Sequence, residues 1–450
     1  MQTDDPIAPA ASFPATAILP DHAAYDEHRI SFNGILDRRP AVIVPCETTE
    51  EVVAAVRAAR AAGLPIAIRG GGHSVAGHGI ADDALVISLA TMRDVRIDAE
   101  RRIGHVGGGA QWNDIDVAAF AHGLAVPGGT FGDTGIGGLT LGGGLGWLMP
   151  VAGLTCDNLI EAEVVTADGS VVIAGPGGDE ELLWALRGGG GNFGVVTRFT
   201  YRLSPVAMLF GGVIRYPTSA ARLVHQRLLE IDTRWPTAMM QTLGIGREPD
   251  LGPIISFLVG VVDGSDPEPL VAALRRDLPV VAEDLGPRTY LELQAQAGIL
   301  PFGLRHYWKG HFIRELDLAT FEALVEAAVA PDAVGEAFVL LESMSGAART
   351  EPAGGAAFGQ RAARWNASAL AIWESPEDDE VAIGWARRVA DLLAPASLSG
   401  GGYVNYSPVD ESPDRVQAAY GAERWERLVA VKRRHDPDNV FRFNHNIAPG

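Results

Sequence analysis

A short apolar run at 41–44 is followed by a change of period. Thr48-Thr49-Glu50-Glu51 has capping-box spacing, and Val52, Val53, Val56 and Ala59 recur behind it at helical intervals. A strand and then a helix are predicted. Gly63 stops the helix and 64–68 reads as the next strand, completing a β-α-β unit. Further strands are predicted at 85–89, 95–98 and 103–107, then a helix over 111–122 with Gly123 as its stop. Segments 160–166 and 170–174 make a hairpin across Asp168-Gly169, followed by a helix at 179–186 and a strand at 194–200. Between these elements, 128–146 is more than half glycine, too dense for an ordinary helix or strand.

The pattern changes after Pro205. Amphipathic helices are predicted at 221–231, 267–278, 318–330 and 379–393, mixed with strands at 303–314, 336–342 and 366–374. Glycine loops become sparse, which suits a sheet-plus-helix domain that shapes a pocket. The last fifty residues hold a helix over 414–435 and an Asn-rich tail. Residues 1–35, rich in Pro, Ala and Asp, read as a lightly ordered lead-in.

At 450 residues and 47% apolar, the chain has material for two or three domains with sizeable cores. A net charge of −20 argues against nucleic acid and anionic membrane surfaces as partners. Cys46 and Cys156 are too few to staple such a chain, which fits a reducing compartment. Met1 to Pro20 lacks a basic region and a continuous apolar core, so no signal peptide is expected. Arg38-Arg39 precedes only Pro40 and a short apolar run. No stretch approaches the roughly twenty apolar residues of a membrane helix. A cytoplasmic protein, monomeric or homo-oligomeric, is expected. No histidine or cysteine spacing suggests a metal site.

Arg69-Gly70-Gly71-Gly72-His73-Ser74 directly follows the 64–68 strand. Its three glycines let backbone N–H groups close on an anion while His73 is presented at a fixed angle. The 128–146 belt and Gly188 to Gly194 add two more stretches of bare backbone, which suggests a long ligand in an extended pose. A Rossmann reading fails, because Gly135-Ile136-Gly137-Gly138-Leu139-Thr140 has threonine where the third glycine belongs.

Six segments then occur in order: the Arg69–Ser74 loop; Gly137-Gly138-Leu139-Thr140-Leu141-Gly142-Gly143-Gly144-Leu145-Gly146; Gly153-Leu154-Thr155-Cys156-Asp157-Asn158; Gly190-Gly191-Asn192-Phe193-Gly194-Val195-Val196-Thr197; Tyr403-Val404-Asn405-Tyr406; and Asp436-Pro437-Asp438-Asn439-Val440-Phe441-Arg442-Phe443-Asn444. Together they resemble the berberine bridge enzyme-like FAD oxidases of the vanillyl-alcohol oxidase/para-cresol methylhydroxylase superfamily, from about residue 40 to the end. The resemblance implies an α+β fold. An FAD-binding domain at 36–206 precedes a substrate domain with an antiparallel sheet at 207–400, and 401–450 returns to the FAD domain.

It further implies that His73 is bonded to the 8α-methyl of FAD. Cofactor contacts fall to Arg69, Gly70, Gly71, Gly72, Ser74, Gly77 and His78 in the first loop. In the belt they fall to Phe131, Gly132, Gly135, Gly137, Gly138, Thr140, Gly142 and Gly143. Beyond it they fall to Gly194, Val195, Val196, Tyr403, Asn405 and Asn444. Many relatives add a cysteinyl tether just before the belt; that position is Phe131 here, and Cys156 reads as a buried small residue. One tether is expected, similar to the 6-hydroxynicotine oxidases.

Tyr406 matches the base of alcohol-oxidising relatives, taking the hydroxyl proton while a hydride moves to flavin N5. With an ordinary pKa near 10, a tyrosine needs a neighbouring donor or cation to serve at neutral pH. Tyr403 fits strand packing equally well, and Asn405 either bonds the flavin or orders its loop. Alternation in 304–311 sends Arg305, Tyr307, Lys309 and His311 to one face and His306 and Trp308 to the other. Tyr307, Lys309 and His311, with Asn366 and Ser368, are the substrate candidates. The expected activity is an FAD oxidase acting on a secondary alcohol or sugar hemiacetal, with dioxygen returning hydrogen peroxide. A C–N oxidase, a dehydrogenase with another acceptor and a non-catalytic flavin-binding protein are the alternatives.

Overall fold

Among the described residues there are four sheets, three large ones and a two-stranded pair of Leu124–Ala125 with Ser204–Pro205. The computed structural model describes residues 13–234 and 239–450, so part of the expected lead-in, and of the segment read for a signal peptide, lies outside the described residues. A parallel sheet has the order Val42–Pro45, Leu85–Ser88, Ile66–Arg69. The flanking strands therefore do not pair with each other; Leu85–Ser88 inserts between them, which the expected β-α-β unit did not include. Between them runs the helix Thr49–Ala62, capped by Thr48 and Glu51 in a reciprocal box and closed by Gly63 at φ 68°. An antiparallel sheet of five follows: Val95–Asp98, Ile103–Gly107, Val195–Arg202, Leu159–Val165, Val171–Ala174.

The third sheet is antiparallel and seven-stranded. Its order is Ala282–Arg288, Leu209–Pro217, Gly252–Val261, Met239–Glu248, Glu336–Ser343, Trp365–Trp373, Arg305–Ile313. Alternation gives it two unlike faces. Leu243, Ile245, Phe257, Leu341 and Ala369 turn toward helices Ala221–Arg234, Glu268–Arg275, Leu318–Ala328 and Asp379–Leu393, forming the largest apolar core. Each fully buried leucine there is worth roughly 1.5–3 kcal/mol of transfer free energy. The intervening residues, Thr242, Gly244, Ser256, Leu258, Leu340 and Glu342, face a cavity instead. The chain is α+β.

Three expectations need correction. The glycine belt contains a short helix, Ile136–Leu141, because burial of Ile136 and Leu141 in the core outweighs the low helix propensity of its glycines. The helix expected over 414–435 is two, Pro413–Tyr420 and Ala422–His435, broken where Gly421 adopts φ 78°. The described part of the lead-in is packed: Phe32 is fully buried, and Asn33 donates to the Val75 and His306 carbonyls at 2.7 and 2.8 Å.

The C-terminal segment is locked onto the middle of the chain. Lys432 and Asp436 form a fully buried ion pair at 2.6 Å, and the Lys432 ammonium also donates to the Asn192 and Phe441 carbonyls. This fixes the 190–194 loop against the tail that follows the last helix.

Candidate active site

A cavity of about 860 Å³ lies between the glycine loops and the open face of the seven-stranded sheet. Arg69, Gly70, Gly71, Gly72, His73, Ser74 and His78 line it from the first loop. Phe131, Gly135, Gly137, Gly138 and Gly142 line it from the belt, and Gly194, Val196, Tyr403, Asn405, Tyr406 and Asn444 from the later segments. Gly138 and Gly191 have no atom within 4 Å of where a Cβ would stand, so a side chain there would occupy ligand space.

Five expected cofactor contacts do not line the cavity. Gly77 turns at φ 69° beneath Leu36, and Gly132 backs onto Asn113. The Thr140 hydroxyl is paired with Tyr201 at 2.7 Å. Gly143, at φ 122°, packs against Phe358, and Val195 is buried in the core beside the parallel sheet. These residues shape the loops from behind.

His73 stands at the loop's end with its ring stacked on Phe32 at 4.0 Å, and Phe32 stacks on His306 at 4.3 Å on its other side. His73 Nε2 lies 3.6 Å from Asp133 Oδ2. Burial pushes the His306 imidazole down to about 3, and neither of its ring nitrogens has a hydrogen-bond partner. Cys156 is buried in a core cluster and, like Cys46, is not part of the cavity wall.

Asn405 and Tyr406 sit on a 3-10 turn, Val404–Tyr406, with Tyr403 at its N-cap, and not on a strand. The Tyr403 hydroxyl accepts from the Gly144 N–H at 3.0 Å and the Asn405 amide at 2.8 Å. Asn405 also donates to the Leu139 carbonyl, so it ties the turn to the belt. The Tyr406 hydroxyl donates to Glu342 Oε1 at 3.3 Å, and Asn366 donates to Oε2 at 2.8 Å. Burial pushes the Glu342 carboxyl up to about 7, with both donors pulling against it. Burial and this carboxylate hold Tyr406 well above its ordinary value. The helper expected to lower the tyrosine is therefore absent among its described neighbours, and an acid occupies the place. Sequence reasoning missed Glu342; its one signal was a charge closing the apolar run Phe338-Val339-Leu340-Leu341.

The sheet face that meets the cavity is the opposite of the one expected. Trp308 and Leu370 line it, while Tyr307, Lys309 and His311 do not. Tyr307 is bonded to Asp410 at 3.0 Å, Lys309 to Glu411 at 3.0 Å and His311 to Ser397 at 2.9 Å, so these three dock the segment after helix Asp379–Leu393. Asn366 reaches the site only through Glu342, and Ser368 is buried opposite Gly310. Farther along the sheet the wall turns polar: Arg215 pairs with Glu248 at 2.9 Å, and Ser256 donates to Glu248 at 3.0 Å.

The donors suit a large, polar, flat ligand such as FAD. Bare backbone forms one wall, and buried polar atoms at its edge, His73 Nε2, His78 Nε2 and Asn444 Oδ1, have no protein partner. Among the described residues no group of side chains could hold a metal, and no helix is long and apolar enough to cross a membrane.

Comparison with known proteins agrees. Residues 40–175 match the FAD binding domain model, and 402–448 match the model described as berberine and berberine like. The chain is 31% identical over 457 residues to (R)-6-hydroxynicotine oxidase of Paenarthrobacter nicotinovorans, covering 98% of each chain. It is 28% identical to aclacinomycin-N/aclacinomycin-A oxidase of Streptomyces galilaeus over 93% of this chain and 87% of that one. The crystal structure of 6-hydroxy-D-nicotine oxidase from Arthrobacter nicotinovorans superposes with a TM-score of 0.87, at 28% identity and full coverage of both chains. Physcomitrella patens BBE-like 1 shares the fold at a TM-score of 0.86, with 23% identity and 98% coverage of each. With its glycine-walled cavity and this near-complete match, the chain belongs to the berberine bridge enzyme-like family of FAD-linked oxidoreductases.

Proposed function

We propose that this enzyme is an oxidase of a substrate C–OH group, with FAD tethered through His73 alone. The chemistry FAD supplies when bound is acceptance of a hydride at N5 and return of the electrons to dioxygen as hydrogen peroxide. The observation that carries the reading is the contact between Tyr406 and the buried Glu342 at 3.3 Å. Glu342, pushed up to about 7, is a carboxylate poised to gain a proton near neutral pH. The Tyr406 hydroxyl binds the substrate oxygen, takes its proton and passes its own to Glu342 Oε1. Tyrosinate never needs to persist, which removes the objection that Tyr406 is too weakly acidic. Asn366 holds the carboxylate still from the neighbouring strand.

Trp308, Leu340 and Leu370 give the carbon skeleton an apolar seat that excludes water. The polar stretch at Arg215, Glu248 and Ser256 offers both donors and acceptors to a distal hydroxylated portion. A ring-bearing or glycosidic secondary alcohol satisfies both halves. The test is anaerobic bleaching of the bound flavin by matched secondary alcohols, hemiacetals and amines, followed by readmission of air. Bleaching by alcohols or hemiacetals but not amines is expected, with colour and peroxide returning in air. C–N oxidation is the second reading, favoured by the 31% identity to (R)-6-hydroxynicotine oxidase. Bleaching by amines only would decide for it.

A further inference from the structure

We propose that Asp133 prepares His73 for bonding to FAD by accepting the ring proton that His73 must lose. The inference rests on His73 being the tether and adds a residue for forming that bond. The geometry is specific. His73 Nε2 stands 3.6 Å from Asp133 Oδ2, with the two side chains 8% and 21% exposed. His73 Nε2 and Asp133 Oδ1 are both buried without a hydrogen-bond partner. Buried polar atoms in native proteins are ordinarily paired, so an unpartnered ring nitrogen beside a carboxylate that keeps one unpartnered oxygen of its own calls for a role. Phe32 fixes the imidazole plane by stacking at 4.0 Å, and Phe302 closes its edge at 5.8 Å.

The backbone holds the pair in place. Asp133 lies in a turn where the Thr134 N–H donates to the Phe131 carbonyl, and the next residue, Gly135, touches Gly71 so closely that a Cβ at Gly71 would meet its nitrogen at 2.5 Å. The histidine loop and the aspartate turn therefore move as one unit. Among the described residues no lysine or arginine pairs with Asp133. The nearby Arg69 guanidinium is engaged by the His28 carbonyl, and His306, across Phe32, is held neutral by burial. Among the described residues, His73 is the only basic side chain within ion-pair distance of Asp133.

With Nε2 turned to Asp133, the ring attacks through Nδ1; an N–C bond forms to the 8α carbon, and an 8α C–H and the Nε2–H bond break. The 8α hydrogen leaves as a proton that is taken up by the flavin together with the carbon's electron pair, and the flavin is thereby reduced by two electrons. Asp133 receives the ring proton and relays it outward, and dioxygen reoxidises the flavin with formation of hydrogen peroxide. A carboxylate orienting and deprotonating a histidine nucleophile follows the general logic of activated nucleophiles.

Chain produced under flavin limitation is mixed with FAD in air, and acid-precipitable flavin is followed over time beside total bound flavin. Asp133→Asn should bind FAD as wild type does but form the bond at least about ten-fold more slowly, and Asp133→Glu should recover part of the rate. Asp133→Asn forming the bond at the wild-type rate overturns the proposal. So does loss of all bound FAD in both variants, which makes Asp133 a structural residue. A wild-type pellet without colour is a different result: it removes the His73 tether itself, and this proposal with it.

Discussion

The Tyr406 hydroxyl and the Glu342 carboxylate meet at 3.3 Å inside the cavity, although 64 residues separate them in the chain. Two strands and a 3-10 turn bring them together. Glu342 faces Asn366 across the strand pair, while Tyr406 descends from the C-terminal segment with its ring edge-on to Trp308 at 5.3 Å. The site is thus assembled from the sheet and from the tail, and neither part is a site alone.

Replacing Glu342 by Gln should lower kcat/KM by roughly 10²–10⁴, the usual worth of a positioned base. The wild-type rate should rise with pH through a limb centred near 7, and Glu342→Gln should flatten that limb. Stability moves the other way. The folded carboxyl sits above its ordinary value of 4.5, so the native state binds more protons than the unfolded chain between 4.5 and about 7. Glu342 therefore costs stability progressively as pH rises through that window. Thermal melts of wild type and Glu342→Gln across this range should diverge with pH, the variant being favoured at the upper end.

Tyr406→Phe should keep its full FAD content and lose most alcohol turnover. It also removes a donor that now draws the Glu342 carboxyl downward, so the rising limb of any residual rate should move to higher pH. An unchanged limb in the phenylalanine variant would show that the two groups do not share a proton.

Local signals in the sequence were sufficient wherever the structure is local. The Thr48–Glu51 box, the stop at Gly63 and the glycine loop before His73 each depend on neighbours a few residues away. Glu342, Phe32 and Asp133 depend on pairing between distant segments. Nothing near Glu342 says that Asn366 is its cross-strand neighbour, and nothing near Phe32 says that it will wedge between His73 and His306. Strands 209–217, 239–248 and 252–261 escaped for a related reason. Gly211, Gly244, Gly246 and Gly260 interrupt their alternation, because that face lines a cavity or packs against large side chains such as Trp147. The choice between the two faces of 305–313 went wrong because polar residues there serve to dock the C-terminal segment.

Lys432→Met should destabilise the fold by about 3–5 kcal/mol, because Asp436 would remain fully buried without its cation. The Val440 and Phe441 N–H groups still donate to Asp436, at 2.7 and 2.8 Å, which places the expected cost toward the lower end. Denaturant unfolding monitored by tryptophan emission measures it. Since Lys432 also holds the Asn192 carbonyl beside the cavity, FAD retention during dialysis should fall in the same variant.

Gly138→Ala separates folding from cofactor binding by giving them opposite signs. Gly138 lies inside the Ile136–Leu141 helix with no φ requirement of its own, so alanine should stabilise that helix by up to about 1 kcal/mol. Its new methyl meets no protein atom within 4 Å and points into the cavity between the histidine loop and the belt. Chain freed of flavin should therefore melt at the same temperature or slightly higher, while FAD binds more weakly by titration. Gly135, at the start of the same helix, is the control: a Cβ there would meet the Gly71 backbone nitrogen at 2.5 Å, so Gly135→Ala should disturb the packing first. If Gly138→Ala binds FAD as tightly as wild type, the belt does not approach the cofactor as closely as the cavity wall implies.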